Sequence, residues 1–250
     1  MPTPRPSESA PTAYDDFAWF YDRHWVTEVG EHFFSAVDQL LLPNLSPGAE
    51  ILDLCCGTGH LASDLNDRGY RVIGIDSSKE MLRLARVHAP KAEFVEADAR
   101  SYPSTRQVDA VTCVFDSINH FLKIADAELV FRTARQALKP GGQFLFDVNT
   151  EPAFSQHWEQ YYAIVEDDHA CVLTGEYSDS KHRAYYDITL FRLLDGQWRR
   201  FDTRIEERCY SIDELKSALL NAGFDEIRVY AADTDLGLTD HTGRAFFVCS

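Results

Sequence analysis

Two rhythms of apolar residues alternate along this chain, and their order predicts the fold. Between 29 and 42, Phe33, Val37, Leu40 and Leu41 recur at helical spacing, and Pro43 and Pro47-Gly48 end the run. Short solid apolar runs then take turns with helical ones. Strands are predicted at 50–54, 71–76, 92–96, 108–115 and 143–148. Helices are predicted at 60–68, closed by Gly69, and from a capping box at Ser77-x-x-Glu80, with Met81, Leu84, Ala85 and His88 in register. A third runs over 126–138 and stops at Lys139-Pro140-Gly141-Gly142. The largely apolar run at 108–115 suits a strand covered on both faces. Alternation at this spacing implies a doubly wound, mostly parallel sheet in an α/β chain.

After Thr150 the period drops to two. Segments 161–165, 170–177, 184–194 and 198–210 alternate, and Asp195-Gly196 between the last two is a hairpin signal. Phe201, Thr203 and Ile205 face one way, with Arg200, Asp202, Arg204 and Glu206 facing the other. This is an antiparallel meander with one wet face. Ser211-x-x-Glu214 then opens another helix, and 225–231 and 244–249 are the last strands. The meander is therefore inserted between the fifth strand and the last helix of the sheet. Residues 13–48 are expected as a helical cap, 49–150 with 211–250 as the core, and 151–210 as the inserted β lobe. Residues 1–12, with four prolines, are expected to be disordered.

Composition narrows the partners. Lys and Arg total 24 against 40 Asp and Glu, a net charge of −16, which disfavours a long polyanion. Six cysteines without C-x-x-C read as free thiols in a reducing cytoplasm. No secretory leader is expected at 1–11, and no run approaches the roughly 18 apolar residues of a membrane span.

The chemistry gathers where a strand breaks into small residues: Asp53-Leu54-Cys55-Cys56-Gly57-Thr58-Gly59. Without a Cβ, glycine lets the backbone turn sharply against a ligand, and the following helix offers unpaired N–H groups. Gly57-Thr58-Gly59-His60-Leu61-Ala62 with Asp76 also fits a dinucleotide fingerprint. Ligands of such sheets sit beyond the carboxyl ends of the strands, here Asp53 to Gly59, Asp76, Asp98 and Phe115 to His120. Asp76 can take both hydroxyls of a ribose. Asp98-Ala99 can accept from an adenine amino group and donate an N–H to its ring. No phosphate-binding G-x-x-x-x-G-K occurs, so the expected ligand is a nucleoside with an amino-acid-like tail. The nine histidines show no ligand spacing, so no metal is assigned.

The ordered set from Leu52 to Gly59, Val72-Ile73-Gly74-Ile75-Asp76, Glu96-Ala97-Asp98, Val108-Asp109-Ala110-Val111 and Leu138 to Gly142 resembles the class I S-adenosylmethionine-dependent methyltransferases. The resemblance covers about 50–150 and implies a seven-stranded, Rossmann-like sheet with S-adenosyl-L-methionine as cofactor. It implies that Asp53 orients the methionyl amino group, and that Cys55, Gly57 and Gly59 pass under the methionyl tail. Asp76 and Ser77 would hold the ribose, Asp98 and Ala99 the adenine, and Phe115 the sulfonium. Cys55 stands where many members carry a glycine, and it fits if its backbone angles are ordinary.

The stretch Asp116-Ser117-Ile118-Asn119-His120, the aromatic N-terminus and the inserted meander are similar to small-molecule N-methyltransferases of the glycine and amino-sugar types. That similarity implies His120 as base beside the acceptor amine, with Tyr21, or alternatively Tyr14, next to it. The expected acceptor is a small molecule, with neither nucleic acid nor membrane as partner and a homodimer through the β lobe. The competing readings are an RNA methyltransferase using Arg199, Arg200, Arg204 and Arg208, a binding protein without turnover, and a nicotinamide oxidoreductase.

Overall fold

A computed structural model of the chain describes residues 12–250, apart from the side chains of 27–33 and 157. Of the tail expected at 1–12, residues 1–11 lie outside the described residues, as does the side chain of Phe33. Helix α1 (Ala18–Phe20), a π-helical turn (Tyr21–Trp25) and α2 (Val26–Leu40) follow one another without interruption. The alternating unit comes next: β1 (Glu50–Leu54), α3 (His60–Asp67), β2 (Arg71–Asp76), α4 (Lys79–His88), β3 (Glu93–Glu96), β4 (Val108–Cys113), α5 (Ile124–Ala137) and β5 (Leu138–Asn149). A short α6 (Glu151–His157) leads into the meander of β6 (Tyr161–Val165), β7 (His169–Ser178), β8 (Arg183–Leu194) and β9 (Gln197–Arg208). The chain closes with α7 (Ile212–Ala222), β10 (Ile227–Ala231), α8 (Ala232–Leu236) and β11 (Arg244–Cys249).

The seven-stranded sheet has the order β10-β11-β5-β4-β1-β2-β3. All pairings are parallel except those of β11, which runs against both β5 and β10. The order reverses direction between β1 and β4, which opens a crevice at their carboxyl ends. Both faces are covered, as the solid apolar strands require. On one face, Val130, Phe131 and Ala134 of α5 and Leu215 and Leu219 of α7 pack on Phe144, Phe146 and Phe247. On the other, Val37 of α2 and Leu61, Ala62 and Leu65 of α3 cover Ile51, Val72 and Leu145. Phe131 is fully buried and its ring lies 5.1 Å from that of Phe146, so truncating it to alanine would cost about 3–5 kcal/mol.

The meander forms a separate antiparallel sheet, β6-β7-β8-β9. Its dry face, with Cys171, Leu173, Ile188, Leu190 and Ile205, packs on Phe17 and Phe20 of the N-terminal helix. Its wet face pairs Arg200 with Asp202 and Arg204 with Asp187. The sequence reading of one wet face therefore holds.

Two local expectations are corrected. Helix α4 is capped by Ser78, not Ser77: the Met81 amide donates to Ser78 Oγ at 3.2 Å. Ser77 is thereby freed to face the crevice. And Pro140-Gly141-Gly142 ends α5 but stays within β5, as an irregularity where pairing with β4 jumps from Val108–Leu138 to Ala110–Gln143.

Candidate active site

The crevice continues into one cavity of about 730 Å³, between the carboxyl ends of β1, β2 and β4, the N-terminal helix and the meander. That volume lies within the roughly 300–1,000 Å³ usual for small-molecule sites. Asp53, Cys55, Gly57, Gly59, Asp76, Ser77, Asp98, Ala99, Phe115, His120, Tyr14 and Tyr21 all line it. The topology thus brings together every residue the sequence assigned to the cofactor or to catalysis, from loops up to about a hundred residues apart.

The turn after β1 is held from below. The Cys56 amide donates to the Ile75 carbonyl at 2.9 Å, and the Gly57 amide to Asp76 Oδ2 at 3.0 Å. Gly59 sits at φ +79°, and a Cβ there would lie 2.9 Å from the Ala85 Cα of α4. Glycine is therefore required both by backbone angle and by the close approach of α4. Cys55 corrects the expectation of ordinary angles. Its φ is +57°, in the left-handed region, which costs a residue with a Cβ roughly 1–2 kcal/mol. Phe115 and Asp116 are also left-handed, at +61° and +48°. Strain of this kind at three points around one cavity is characteristic of functional loops.

The carboxylates differ in state. Asp53 is 2% exposed, and burial pushes its pKa up to about 7, although Thr112 Oγ1 donates to its Oδ1 at 2.7 Å. Asp76 accepts from the Ser78 amide on Oδ1 and from the Gly57 amide on Oδ2, with its carboxylate at the cavity wall. Burial still raises its pKa. Asp98, half exposed, is gripped by Arg100 Nε at 3.0 Å on both oxygens, which holds its pKa low.

At the far end, the Tyr14 hydroxyl lies 3.0 Å from His120 Nε2, and His120 Nδ1 lies 3.4 Å from the Glu206 carbonyl. A carbonyl can only accept, so Nδ1 carries the proton, and Nε2 accepts from the Tyr14 O–H. Burial lowers the His120 pKa and raises that of Tyr14, so the pair is a neutral imidazole and a neutral phenol. Of the two tyrosines, Tyr14 touches the histidine. Tyr21 stands edge-on to Tyr14, ring centres 6.2 Å apart, with its own ring edge facing Gly57.

Three participants escaped the sequence reading. Glu207 is 3% exposed, and its Oε1 lies 3.8 Å from His120 Nε2. Burial raises its pKa well above the ordinary value, and its Oε2 has no hydrogen-bond partner among the described residues. The signal was present, since Glu207 follows Thr203 and Ile205 at period two and is thus an acid on the dry face. Asp147 lies within the apolar run of β5, and burial lifts its pKa to about 6. Arg244 at the start of β11 joins Asp147 to Asp116, at 3.0 Å from the latter. No local pattern marks Arg244. Asp15 and Asp22 of the N-terminal segment do not line the cavity. Asp15 accepts from Ser78 Oγ at 2.7 Å, docking the N-terminal segment on α4, and Asp22 engages His60 and His88.

Residues 51–142 match the family model described as a methyltransferase domain. A Geobacillus sp. (strain WCH70) protein, whose own assignment as a methyltransferase is provisional, is 30% identical over 242 residues, covering 94% of this chain and 98% of its own. Ubiquinone biosynthesis O-methyltransferase of Aliivibrio fischeri (strain ATCC 700601 / ES114) is 29% identical over 64% of this chain and 65% of its own. Among solved structures, an S-adenosylmethionine-dependent methyltransferase from Clostridium acetobutylicum ATCC 824 superposes with TM-score 0.78 at 23% identity, covering 96% and 99% of the two chains. The sugar N-methyltransferase KedS8 from Streptoalloteichus sp. ATCC 53650 superposes at 0.73 with 19% identity, covering 100% and 96%. The chain belongs to the methyltransferases, and its fold is that of the S-adenosylmethionine-dependent ones. The nicotinamide reading of the glycine turn is thereby replaced.

The residues fit that cofactor. The left-handed backbone of Cys55, Gly57 and Gly59 opens a cradle, a buried carboxyl stands at Asp53, and the Asp76 carboxylate lines the cavity at the end of β2. Among the described residues, no helix is long and apolar enough to cross a membrane.

Proposed function

We propose that this methyltransferase acts on a small molecule at an amine nitrogen. The observation that carries the reading is the Tyr14–His120 hydrogen bond, held neutral in an aromatic-walled chamber next to Glu207. Trp25, Tyr162 and Tyr186 wall that chamber, which suits a compact acceptor better than a polymer strand. The cofactor supplies a methyl group on a positively charged sulfur, with a good leaving group built in. The protein's part is then alignment, exclusion of water and removal of one proton. Asp53, Asp76 and the Asp98-Ala99 loop hold the cofactor, with Phe115 against its charged end.

An amine arrives as an ammonium near pH 7 and has no lone pair to attack with. Tyr14 accepts its proton while passing its own hydrogen to His120 Nε2, and Nδ1 keeps its bond to the Glu206 carbonyl. Glu207 offers a second polar contact to the acceptor. Solved structures of similar fold include an amino pentose methyltransferase from Micromonospora echinaspora, at 20% identity and TM-score 0.69, which supports the same direction.

The test is transfer of a labelled methyl group to a panel of amino sugars, simple amines, phenols and bulk tRNA. Transfer to amines, lost at least tenfold in His120→Ala with cofactor affinity retained, is the expected result. Transfer to phenols alone would move the acceptor atom to oxygen, and transfer to tRNA alone would replace the small molecule. The ion-paired arginines of the wet face support the exclusion of RNA. A homodimer through the β lobe is proposed on the exposed Tyr161 and Val165 of the outer strand β6. Sedimentation of the wild type as a monomer would remove it.

A further inference from the structure

A second constellation adjoins the glycine turn; of its three residues only His60 also lines the cavity. Asp22 belongs to the π-helical turn, His60 is the first residue of α3, and His88 is the last residue of α4. His60 Nε2 lies 2.9 Å from Asp22 Oδ1, and His88 Nε2 lies 3.0 Å from the same oxygen. The two imidazoles face each other with ring centres 4.3 Å apart. One donor atom from each of the three residues falls within 4.8 Å of the other two. Sequence spacing could not reveal this, because the three positions are 38 and 28 residues apart along the chain.

We infer that Asp22, His60 and His88 form a binding site for a divalent first-row transition ion, zinc being the closest match, which fastens the N-terminal cap to the cofactor turn. Two imidazole nitrogens and one carboxylate oxygen are the donors such ions favour, whereas calcium and magnesium take oxygen sets. With bonds of about 2.0–2.2 Å in tetrahedral array, ligand atoms stand roughly 3.3 Å apart. The Asp22–histidine contacts need open by only a few tenths of an ångström to reach that. All three side chains keep partial exposure, between 18% and 31%, so water can occupy the fourth position and the ion has an entry path.

A second observation points the same way. Thr58 is 2% exposed and lies on the turn just before His60, and its buried Oγ1 has no hydrogen-bond partner among the described residues. A hydroxyl poised there can orient the carboxylate or a metal-bound water, as outer ligands of metal sites do. The consequence is mechanical. His60 directly follows Gly59, and the π turn that carries Asp22 also carries Tyr21 and Trp25, which line the cavity. An ion held here pins the cavity's roof to its cofactor-facing floor.

The experiment uses the full-length protein stripped with chelator and titrated with Co(II) for visible absorption, and with Zn(II) against a chromophoric competitor. The expected result is one equivalent bound, with affinity at least tenfold weaker in His88→Ala and in the isosteric Asp22→Asn. Zinc should raise the thermal midpoint of the wild type and leave that of either variant unmoved. Neither side chain lines the cavity, so folding of the variants is checked by S-adenosylmethionine binding without metal. Equal metal affinity in folded Asp22→Asn and wild type would overturn the inference. So would wild-type binding no tighter than millimolar, or binding abolished instead by Cys55→Ser/Cys56→Ser.

Discussion

Replacing Asp53 with asparagine should stabilise the cofactor-free protein at pH 8 and weaken cofactor binding in the same variant. The Asp53 carboxyl is nearly sealed from solvent, its partner is the neutral Thr112 hydroxyl, and burial lifts its pKa from 3.8 to about 7. A pKa raised in the folded state means stability that is fully present below pH 3.8 and is lost as pH rises through about 7. At about 1.36 kcal/mol per pH unit, the loss amounts to at most roughly 4 kcal/mol. Asparagine has the shape of the protonated acid, keeps an acceptor for Thr112, and never ionises. The stability difference between variant and wild type should therefore grow in favour of asparagine between pH 4 and pH 8, by up to about that amount. Urea unfolding at the two pH values measures it, and contributions of other buried acids such as Asp147 largely cancel in the difference. Cofactor binding reverses the benefit. A methionyl ammonium next to Asp53 favours the carboxylate, so wild-type binding near pH 6 should release close to one proton, and the variant should release none. Titration calorimetry in buffers of different ionisation heat reads this directly. Parallel stability curves for the two proteins, or undiminished cofactor affinity in the variant, would refute the reasoning.

Three further outcomes are expected. Gly59→Ala places a Cβ 2.9 Å from the α4 backbone at a left-handed φ, so unfolding free energy should fall by about 2 kcal/mol or more and cofactor affinity should drop with it. Arg244→Met strands the paired Asp116 and Asp147 carboxylates, which should cost about 3–5 kcal/mol at pH 7. The loss should shrink as the pH falls through about 6, where Asp147 protonates; a pH-independent loss in urea melts would contradict the pairing. Burial depresses the His120 pKa below its ordinary 6.5, so the acidic limb of kcat should lie below that value and Tyr14→Phe should lower kcat with little change in cofactor affinity. An acidic limb above 6.5 would argue against His120 as the proton acceptor.

The local patterns of the chain carried the fold a long way. Period-two and helical apolar spacing, the capping box at Ser211, and the Asp195-Gly196 turn each depend on neighbours within a few residues. Such signals survive in a linear text, and they determined the alternating core, the inserted meander and its wet face. The loops proposed to hold the cofactor were legible for a similar reason, because each ends a strand and the ends of parallel strands must share one edge. Where the competition was between equals, as with Ser77 and Ser78 for the α4 cap, only the backbone path decided.

What tertiary structure alone decided are the groupings between distant elements. Tyr14 rather than Tyr21 meets His120, at 3.0 Å, from the turn that precedes the N-terminal helix. Glu207 and Arg244 enter the cavity because a meander strand and the last sheet strand fold over and alongside it. Asp22 joins His60 and His88 because two helix ends meet the cap. A side chain's pKa and its partners depend on what is packed around it, not on its place in the text, so Asp53 near 7 and a neutral His120 could be known only once the chain had closed over them.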